Sequence, residues 1–252
     1  MSLPTGDIAS ATETGSDVEA DVVRRAARAL RDGQVISIPT DTVYGLAAAI
    51  DRPDAMERLY TIKGRPAEKA IPVLIADPTH VLMLTTHLTA TAERLASVFW
   101  PGALTLVVPA RPGLPSRVTT LTSDGIMTVA VRVPDNPVAR AIIAAAGGAL
   151  AVTSANLSGA APAVEAREVR GLGLPRWLLV VDGGRTPGGI PSTIVAATTE
   201  LPEILREGAI STTAVTAALS DMEPMTRDGA TAGYDQEMMR QHAGNHSPET
   251  TS

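Results

Sequence analysis

The stretch that decides the fold is QVISIPTDTVYGL, residues 34–46. Residues 35–38 are apolar apart from one serine, and they predict a short buried strand. Residues 39–46 then bring two threonines, an acid, a tyrosine and a glycine to the end of that strand. Such a segment can be a turn whose hydroxyls bond its own backbone, or a ligand site at a strand end. Taken alone, the stretch favours the turn.

Helical and extended patterns alternate on both sides of this stretch. Apolar residues at helical spacing predict helices at residues 16–33, 51–64, 88–99, 136–146 and 211–219. Short apolar runs predict strands at residues 35–38, 71–75, 104–108, 127–133, 150–153, 178–181, 193–196 and 203–205. Their irregular alternation predicts an α/β fold, in which a single domain has a twisted, open mixed sheet with flanking helices.

Both ends of the chain differ from its middle in composition. Residues 1–15 are rich in Ser, Thr, Ala and Gly, and residues 220–252 are acidic and almost free of aliphatic side chains. We therefore expect disorder at both ends and one folded domain over residues 16–219. Residues 1–21 carry five acids and no base, and residues 221–252 carry a net charge of −4, which leaves +3 on residues 22–220. That charge suits an anionic ligand but is too small to indicate nucleic-acid binding.

Several classes of function are disfavoured by what the sequence lacks. The chain has no cysteine, so disulfides and thiolate metal sites are excluded. No signal-peptide pattern or membrane-length apolar run is present, so we expect a cytoplasmic protein without a membrane contact. The sequence contains no Walker A motif, no dinucleotide fingerprint and no HExxH. Histidines lie apart from the polar clusters, so any catalysis should work by positioning and charge neutralisation.

Lys63 and Arg65 end the second predicted helix, in the sequence KGRP. Cations near a helix C-terminus are favourable on dipole grounds alone, so a purely structural role stays open. Lys63 shares a helical face with Met56 and Tyr60, which predicts an inward position. A Lys point charge beside an Arg fork suits a polyphosphate.

Small polar residues also crowd the loop that follows the strand at residues 150–153. Its sequence, VTSANLSG at residues 152–159, contains Ser154 and Asn156. Asn can bind an adenine edge or a carboxylate, and Ser can bind phosphate oxygens. A hydrogen-bonded turn is the alternative.

Three further strands carry candidate anion ligands. Thr128 and Arg132 alternate in phase on one strand, and an Arg on the covered side of a sheet needs an anion. Ser192 and Arg206 bring a hydroxyl and a cation to later strand ends. Surface salt bridging is the alternative for each arginine.

Seven motifs occur in a fixed order, and together they resemble the YrdC/Sua5 family. They are PTDTVYGL (39–46), KGRP (63–66), FWPG (99–102), TVAVRVP (128–134), SANLSG (154–159), PSTIV (191–195) and LREG (205–208). The resemblance covers roughly residues 18–218, and the chain is similar to the short, single-domain members.

The resemblance implies a YrdC/RibB-like fold with a concave basic cleft. Members of the family are L-threonylcarbamoyladenylate synthases, which convert ATP, L-threonine and bicarbonate to threonylcarbamoyl-AMP and pyrophosphate, with Mg²⁺ as the cofactor of ATP. A partner enzyme then transfers the threonylcarbamoyl group to adenosine 37 of tRNA. A weak contact of this chain with tRNA is a further possibility of the family.

The resemblance also assigns roles to residues. Lys63 and Arg65 would be catalytic. The ATP-binding set would be Lys63, Arg65, Thr128, Asn156 and Arg206; the L-threonine-binding set would be Thr40, Arg132, Ser154 and Ser192. No residue is expected to be a metal ligand. Asp41 and Thr42 would fix the turn, and Tyr44 would wall the pocket.

Four positions depart from the family pattern. They are Ala70 in place of proline, Val164 in place of a hydroxyl residue, Pro191 in place of an acid, and Ala196 in place of aspartate. These changes affect secondary contacts and leave the basic residues intact. Two alternatives to the synthase remain: a non-catalytic RNA-binding module, which the scarcity of aromatics disfavours, and the YrdC-like part of hydrogenase-maturation proteins, whose cysteine-rich segments are absent here.

Overall fold

The structure is a computed structural model that describes residues 8–10, 16–157 and 159–220. Within them the helices are α1 (Ser16–Arg31), α2 (Pro53–Lys63), α3 (Ala90–Phe99), α4 (Pro137–Ala145), α5 (Ala166–Gly171) and α6 (Thr212–Ser220), with a 3₁₀ helix at Pro78–Met83. The strands are β1 (Ile8–Ser10), β2 (Ile36–Ile38), β3 (Gly45–Ala49), β4 (Val73–Ile75), β5 (Leu104–Pro109), β6 (Thr119–Leu121), β7 (Met127–Arg132), β8 (Ala149–Ser154), β9 (Leu179–Asp182), β10 (Thr193–Ala196) and β11 (Glu203–Arg206).

All of these strands belong to one mixed sheet. Its order is β1-β9-β2-β3-β8-β4-β7-β5-β10-β11, and β6 pairs with β7 beside this path. β1, β9 and β2 run parallel, whereas β2, β3, β8 and β4 are joined by antiparallel pairs. The predicted α/β class with an open mixed sheet and flanking helices is therefore confirmed.

Four elements inside the predicted domain were missed: the strands β3 and β6, the helix α5 and the 3₁₀ helix at Pro78–Met83. β3 has the sequence GLAAA, which lacks the β-branched and aromatic residues that mark a strand. All five of its residues are buried between β2 and β8, so tertiary packing and not propensity makes it a strand. β6 and α5 are short, at three and six residues, and give too little periodicity to be read from sequence.

The prediction of disorder for residues 1–15 is wrong for residues 8–10. These residues form β1, which pairs in parallel with β9, and Ala9 is buried. A three-residue strand with the sequence IAS has too little pattern to be recognised before its partner strand is known. The predicted tail at residues 220–252 lies outside the described residues except for Ser220, which ends α6. Among the described helices, none has the length and apolarity that a membrane crossing requires.

The two faces of the sheet are covered differently. On one face, α2, α3 and α5 pack on the larger apolar cluster, which includes Leu59, Leu95 and Val169, and α6 packs on α3. On the other face, α1 and α4 cover a second cluster that extends from β1 to β4 and includes Leu30, Ile142 and Leu150. Helices therefore protect one whole face but only half of the other.

The uncovered half lies over β7, β5 and β10. Val107, Ala130 and Ala196 are only half-buried there, whereas their neighbours in each strand point into the larger cluster. Strand alternation places Thr105, Arg132 and Ile194 on this same exposed face. Among the described residues, the helices thus leave a surface of the sheet uncovered at the point where several of the predicted site residues lie.

Candidate anion-binding cleft

A cleft of about 240 Å³ opens at the edge of this uncovered surface. β4 and β8 supply one wall, and β5, β7, β10 and β11 supply the other. Its polar lining consists of Thr40, Thr42, Tyr44, Arg65, Thr105, Arg132, Thr153, Ser154, Ser192 and Arg206. Of the predicted site residues, the structure brings six to this lining: Thr40, Arg65, Arg132, Ser154, Ser192 and Arg206.

Thr40 organises the turn at residues 39–46. Its hydroxyl donates to the Val43 carbonyl at 2.7 Å and accepts from the backbone N–H groups of Thr42 and Val43 at 3.1 and 3.2 Å. Thr42 Oγ1 lies 3.0 Å from the same hydroxyl, so Thr42 takes part in the turn as expected, and Thr40 makes most of the bonds that fix its backbone. The hydroxyl has one donor and two acceptor positions, and the turn occupies all of them.

Asp41 and Thr42 both accept hydrogen bonds from the Arg132 guanidinium. Arg132 Nη2 donates to Asp41 Oδ1 at 2.6 Å, and Nη1 donates to Thr42 Oγ1 at 3.1 Å. Its Nε donates to the Gly102 carbonyl at 2.9 Å. The two charged side chains are 7% and 13% exposed, so this is a nearly buried ion pair. The guanidinium is fixed from three sides at the wall of the cleft.

Lys63 lies beneath the Ser154 loop and not in the cleft lining. Its Nζ donates to the Ser154 carbonyl at 2.6 Å, to the Asn156 carbonyl at 2.9 Å and to Asn156 Oδ1. The Asn156 amide donates in turn to the carbonyls of Leu157 and Ala160. Burial, and to a lesser extent the charge of Arg65, lower the pKa of Lys63 to about 8. The predicted inward position of Lys63 is confirmed, and its hydrogen bonds join the KGRP and SANLSG motifs.

Arg65 enters the cleft from the loop after α2. Its Nε donates to the Lys69 carbonyl at 2.8 Å and its Nη2 to the Ala70 carbonyl at 2.6 Å. Gly64 ends α2 in the left-handed conformation, with φ of 61°, which a side chain would disfavour. The position where the family has proline, Ala70, holds Arg65 through its backbone, so the altered side chain leaves this contact in place.

Arg206 reaches the cleft because of a β-bulge. Ile204 pairs with Val195, but Arg206 pairs with Ile194, so β11 has one extra residue opposite β10. A bulge changes which face a side chain points to. Ile204 therefore packs against the larger apolar cluster while Arg206, two residues later, lines the cleft.

Ser192 connects Arg206 to β5. Arg206 Nη2 donates to the Ser192 carbonyl at 2.8 Å, and Ser192 Oγ lies 2.8 Å from Thr105 Oγ1. Thr105 was not predicted as a site residue. Its signal in the sequence is a threonine out of phase with Leu104 and Leu106 in an apolar strand, so it must face the surface opposite to the core.

Thr128 is a predicted site residue that lies outside the lining. It is on the same face as Arg132 but four positions earlier in β7, a separation of about 13 Å along the strand. Its hydroxyl donates to the Thr120 carbonyl of β6 at 3.0 Å. The unpredicted strand β6 therefore occupies the side chain that was expected to meet a ligand.

Tyr44 contributes to the wall as predicted, and its hydroxyl is used elsewhere. The hydroxyl donates to the Gly184 carbonyl at 2.7 Å. Burial raises its pKa to about 12, so it stays protonated at physiological pH. The next residue, Gly45, allows β3 and β8 to approach, because a Cβ there would lie 2.5 Å from Val152 Cγ1.

The cleft is strongly cationic. Arg65, Arg132 and Arg206 line it, and no acidic side chain is among the lining residues. Within the described part of the chain, an ion pair is formed by Arg132 but not by Arg65 or Arg206. Burial, followed by the nearby charge of Arg132, lowers the pKa of Arg206. The positive charges of Arg132 and Arg206 repel each other, and a bound anion would relieve that repulsion. Since three arginines line the cleft, it can bind a carboxylate and a phosphate together.

The sequence of this chain is similar to a known protein family and to several threonylcarbamoyl-AMP synthases. Residues 28–208 match the Sua5, YciO and YrdC family model, whose description is telomere recombination. A threonylcarbamoyl-AMP synthase of Bacillus subtilis is 40% identical over 190 residues, which cover 75% of this chain and 54% of that protein. One of Vibrio parahaemolyticus is 34% identical over 190 residues, 75% of this chain and 100% of that protein. The chain spans about half the length of the first curated relatives that it matches.

A solved structure shows the same fold. The crystal structure of Pyrococcus abyssi Sua5 complexed with L-threonine has a TM-score of 0.72 and 33% sequence identity, over 79% of this chain and 58% of that one.

Proposed function

Because this chain belongs to the Sua5/YciO/YrdC family, we propose that it is an L-threonylcarbamoyladenylate synthase. It would convert ATP, L-threonine and bicarbonate to threonylcarbamoyl-AMP and pyrophosphate. The observation that carries the proposal is the match over the whole length of a relative named threonylcarbamoyl-AMP synthase. The cationic cleft is the physical support, since two of the substrates carry a carboxylate or phosphates and the third is bicarbonate.

The amino acid would bind at the Arg132 end. Arg132 is nearly buried and held rigidly, as a carboxylate ligand requires. The hydroxyls of Ser192 and Ser154 line the same cleft and could bond the substrate amine or side-chain hydroxyl. Thr40 remains part of this proposal, although its hydroxyl is bonded within the turn. It would contact L-threonine through van der Waals packing, or through its hydroxyl once one of the hydrogen bonds in the turn is broken. The relative solved with L-threonine supports a threonine site in this fold.

The nucleotide would bind between Arg65 and Arg206. Neither guanidinium forms an ion pair within the described residues, so both can meet phosphate oxygens. Lys63 and Asn156 would act from beneath, where the ammonium orients the Ser154 loop and adds positive charge. Thr128 belongs to the proposed ATP set only if β6 moves, because its hydroxyl bonds that strand.

The chemistry fits a site of this kind. The free amine of threonine and bicarbonate would give N-carboxy-threonine with loss of water. The new N-carboxylate would then attack the α-phosphate of ATP and expel pyrophosphate. The nucleophile of this second step is already an anion and requires no general base. What it requires is that two anions be brought together and that the charge leaving on pyrophosphate be stabilised. Arg65, with Lys63 behind it, would supply that stabilisation.

Mg²⁺ would accompany ATP. Among the described residues, no cluster of three His, Cys, Asp or Glu side chains could hold a metal by itself. This fits an ion that keeps several waters and takes its other ligands mainly from substrate phosphates. When bound, the ion would neutralise phosphate charge alongside Arg65 and Arg206.

The later steps belong to the same proposal. A partner enzyme would take the unstable product and transfer the threonylcarbamoyl group to adenosine 37 of tRNA. ATP and tRNA are both present in the cytoplasm, where we place the reaction.

Release of pyrophosphate tests the proposal. The purified chain, incubated with ATP, Mg²⁺ and bicarbonate, should release pyrophosphate only when L-threonine is added. Arg65→Ala should lower this rate roughly 10²- to 10³-fold, as loss of a preorganised transition-state donor does. The matched control is Arg111→Ala, since Arg111 is exposed and its side chain bonds only the Leu82 carbonyl among the described residues. Pyrophosphate release without threonine dependence, together with salt-sensitive tRNA binding, would instead support the RNA-binding module.

A further inference from the structure

Asp41 is an acid placed directly behind one of the cleft arginines. Its Oδ1 lies 2.6 Å from Arg132 Nη2, and its side chain is 13% exposed. No described residue is seen to bond its second carboxylate oxygen, Oδ2. The pair therefore places a full negative charge next to the amino-acid end of the cleft.

The other cleft arginines lack such a partner. No described carboxylate lies within ion-pair distance of Arg65 or Arg206. The cleft is consequently polarised: one end is purely cationic, and the other carries a plus charge and a minus charge side by side. A phosphate group is attracted to the first end, whereas at the second end the Asp41 charge opposes it.

We propose that Asp41 makes the Arg132 end of the cleft selective for a zwitterionic amino acid over a plain anion. The inference rests on the proposed function and extends it to the way the two substrates are sorted. An α-amino acid carries a carboxylate and an ammonium group on one carbon. This matches the paired charges of Arg132 and Asp41, whereas an anion without an ammonium group meets the repulsion of Asp41 with no compensating attraction.

Asp41 is also a positioning residue for Arg132, and the two roles can be separated. Thr42 holds the same guanidinium at 3.1 Å through an uncharged hydroxyl. Loss of the Thr42 hydroxyl should loosen Arg132 without changing any charge, so every carboxylate ligand should be weakened alike. Loss of the Asp41 charge should affect ligands according to whether they carry an ammonium group.

A binding cycle with two ligands and two proteins tests the inference without turnover. L-Threonine and 3-hydroxybutanoate, which has the same skeleton without the amine, are titrated against the wild type and Asp41→Asn. Asparagine retains a side-chain oxygen that can accept from Arg132. The wild type should bind L-threonine roughly 10- to 100-fold more tightly than 3-hydroxybutanoate, because the Asp41 charge behind the lining attracts the ammonium group of L-threonine and repels the plain anion. In Asp41→Asn this ratio should fall towards one, with 3-hydroxybutanoate bound at least as tightly as before.

Two controls accompany the cycle. Thr42→Val should weaken both ligands by the same factor and leave their ratio unchanged. Asp54→Asn, which removes an exposed acid that pairs with Arg52 in the first turn of α2 and is not among the lining residues, should change neither affinity. Asp41→Ser provides a second variant with the same expected ratio if the asparagine variant does not fold, and thermal unfolding of each protein checks this.

The outcomes distinguish the inference from the proposed function. Equal binding of the two ligands to the wild type, or a ratio unchanged in the Asp41 variants, would overturn the inference and leave the synthase in place. A wild type that binds neither ligand, with or without ATP, would overturn the proposed amino-acid substrate and the inference with it.

Discussion

Lys63 combines a buried position with several oxygen acceptors. The Ser154 and Asn156 carbonyls and the Asn156 side chain surround its ammonium group, yet burial and Arg65 lower its pKa to about 8 from 10.5. Lys63 therefore connects the KGRP and SANLSG motifs, although burial destabilises its protonated form in the folded protein.

This shift predicts a pH dependence of stability. Between pH 8 and 10.5 the unfolded chain holds more protons on Lys63 than the folded chain does, so stability should rise with pH there. The cost of the buried charge is fully present below pH 8 and disappears as pH rises through this window. The free energy of unfolding of the wild type, measured in urea, should therefore rise relative to that of Lys63→Met between pH 7.5 and pH 10. These two values lie on either side of the folded-state pKa of about 8.

The result would contradict the expectation if the difference between the two proteins were flat or fell over that range. In that case the oxygen acceptors, and not burial, would dominate the Lys63 environment. Lys69→Met is the matched control, because Lys69 is an exposed lysine in the neighbouring loop.

At the scale of elements, the β10–β11 hairpin places Arg206. Its bulge turns Arg206 towards the cleft, and its connection to α6 is fastened by Thr193. The Thr193 hydroxyl accepts from the backbone N–H groups of Gly208 and Ile210 at 2.9 and 3.0 Å. Gly208 itself lies so close to the segment just before β10 that a Cβ would be 2.2 Å from the Pro191 carbonyl oxygen.

Gly208→Ala should therefore damage the hairpin. The added methyl group meets backbone atoms that cannot rotate away, so we expect a loss of about 1–3 kcal/mol in the free energy of unfolding. Arg206 should be displaced as well, and threonine-dependent pyrophosphate release should fall. Gly171→Ala is the control: a Cβ there would meet nothing within 4 Å, and alanine is the better helix former. Equal stability of the two variants would show that the hairpin can shift without cost.

At the scale of the whole molecule, the arrangement of helices creates the cleft. α1 and α4 cover only the half of their face that lies over β1 to β4, and the binding surface is what they leave open. β1 closes the far edge of the sheet on the covered half, where Ala9 is buried in the smaller cluster. The edge strand supports packing, whereas the open half supports binding.

This division predicts different effects of two truncations. A chain lacking residues 1–7 keeps β1 and should unfold at the same urea concentration as the full chain. A chain lacking residues 1–15 loses β1, exposes one edge of β9, and should be less stable by about 1–2 kcal/mol, the contribution of a few buried side chains and strand pairs. Both should keep the cleft, so L-threonine binding should be unchanged. Equal stability of the two truncated chains would mean that β1 does not contribute.

Much of this protein follows from its sequence. Apolar runs and helical periodicity are local patterns, so they predicted the α/β class, the helices α1 to α4 and α6, and most strands of the sheet. Six residues of the cleft lining were also predicted, because they lie within or just after strands and a helix whose location could be read from the chain: Thr40, Arg65, Arg132, Ser154, Ser192 and Arg206.

Tertiary structure decided the remaining features because they depend on contacts between distant residues. β3 is a strand only because β2 and β8 enclose it. The role of Asp41 depends on Arg132, 91 positions later, and that of Lys63 on Asn156, 93 positions later. Composition and spacing show which charges a chain carries, but only the fold shows which of them are neutralised. Within the described part of the chain, the fold gives Arg132 an acidic partner and places none within ion-pair distance of Arg65 or Arg206.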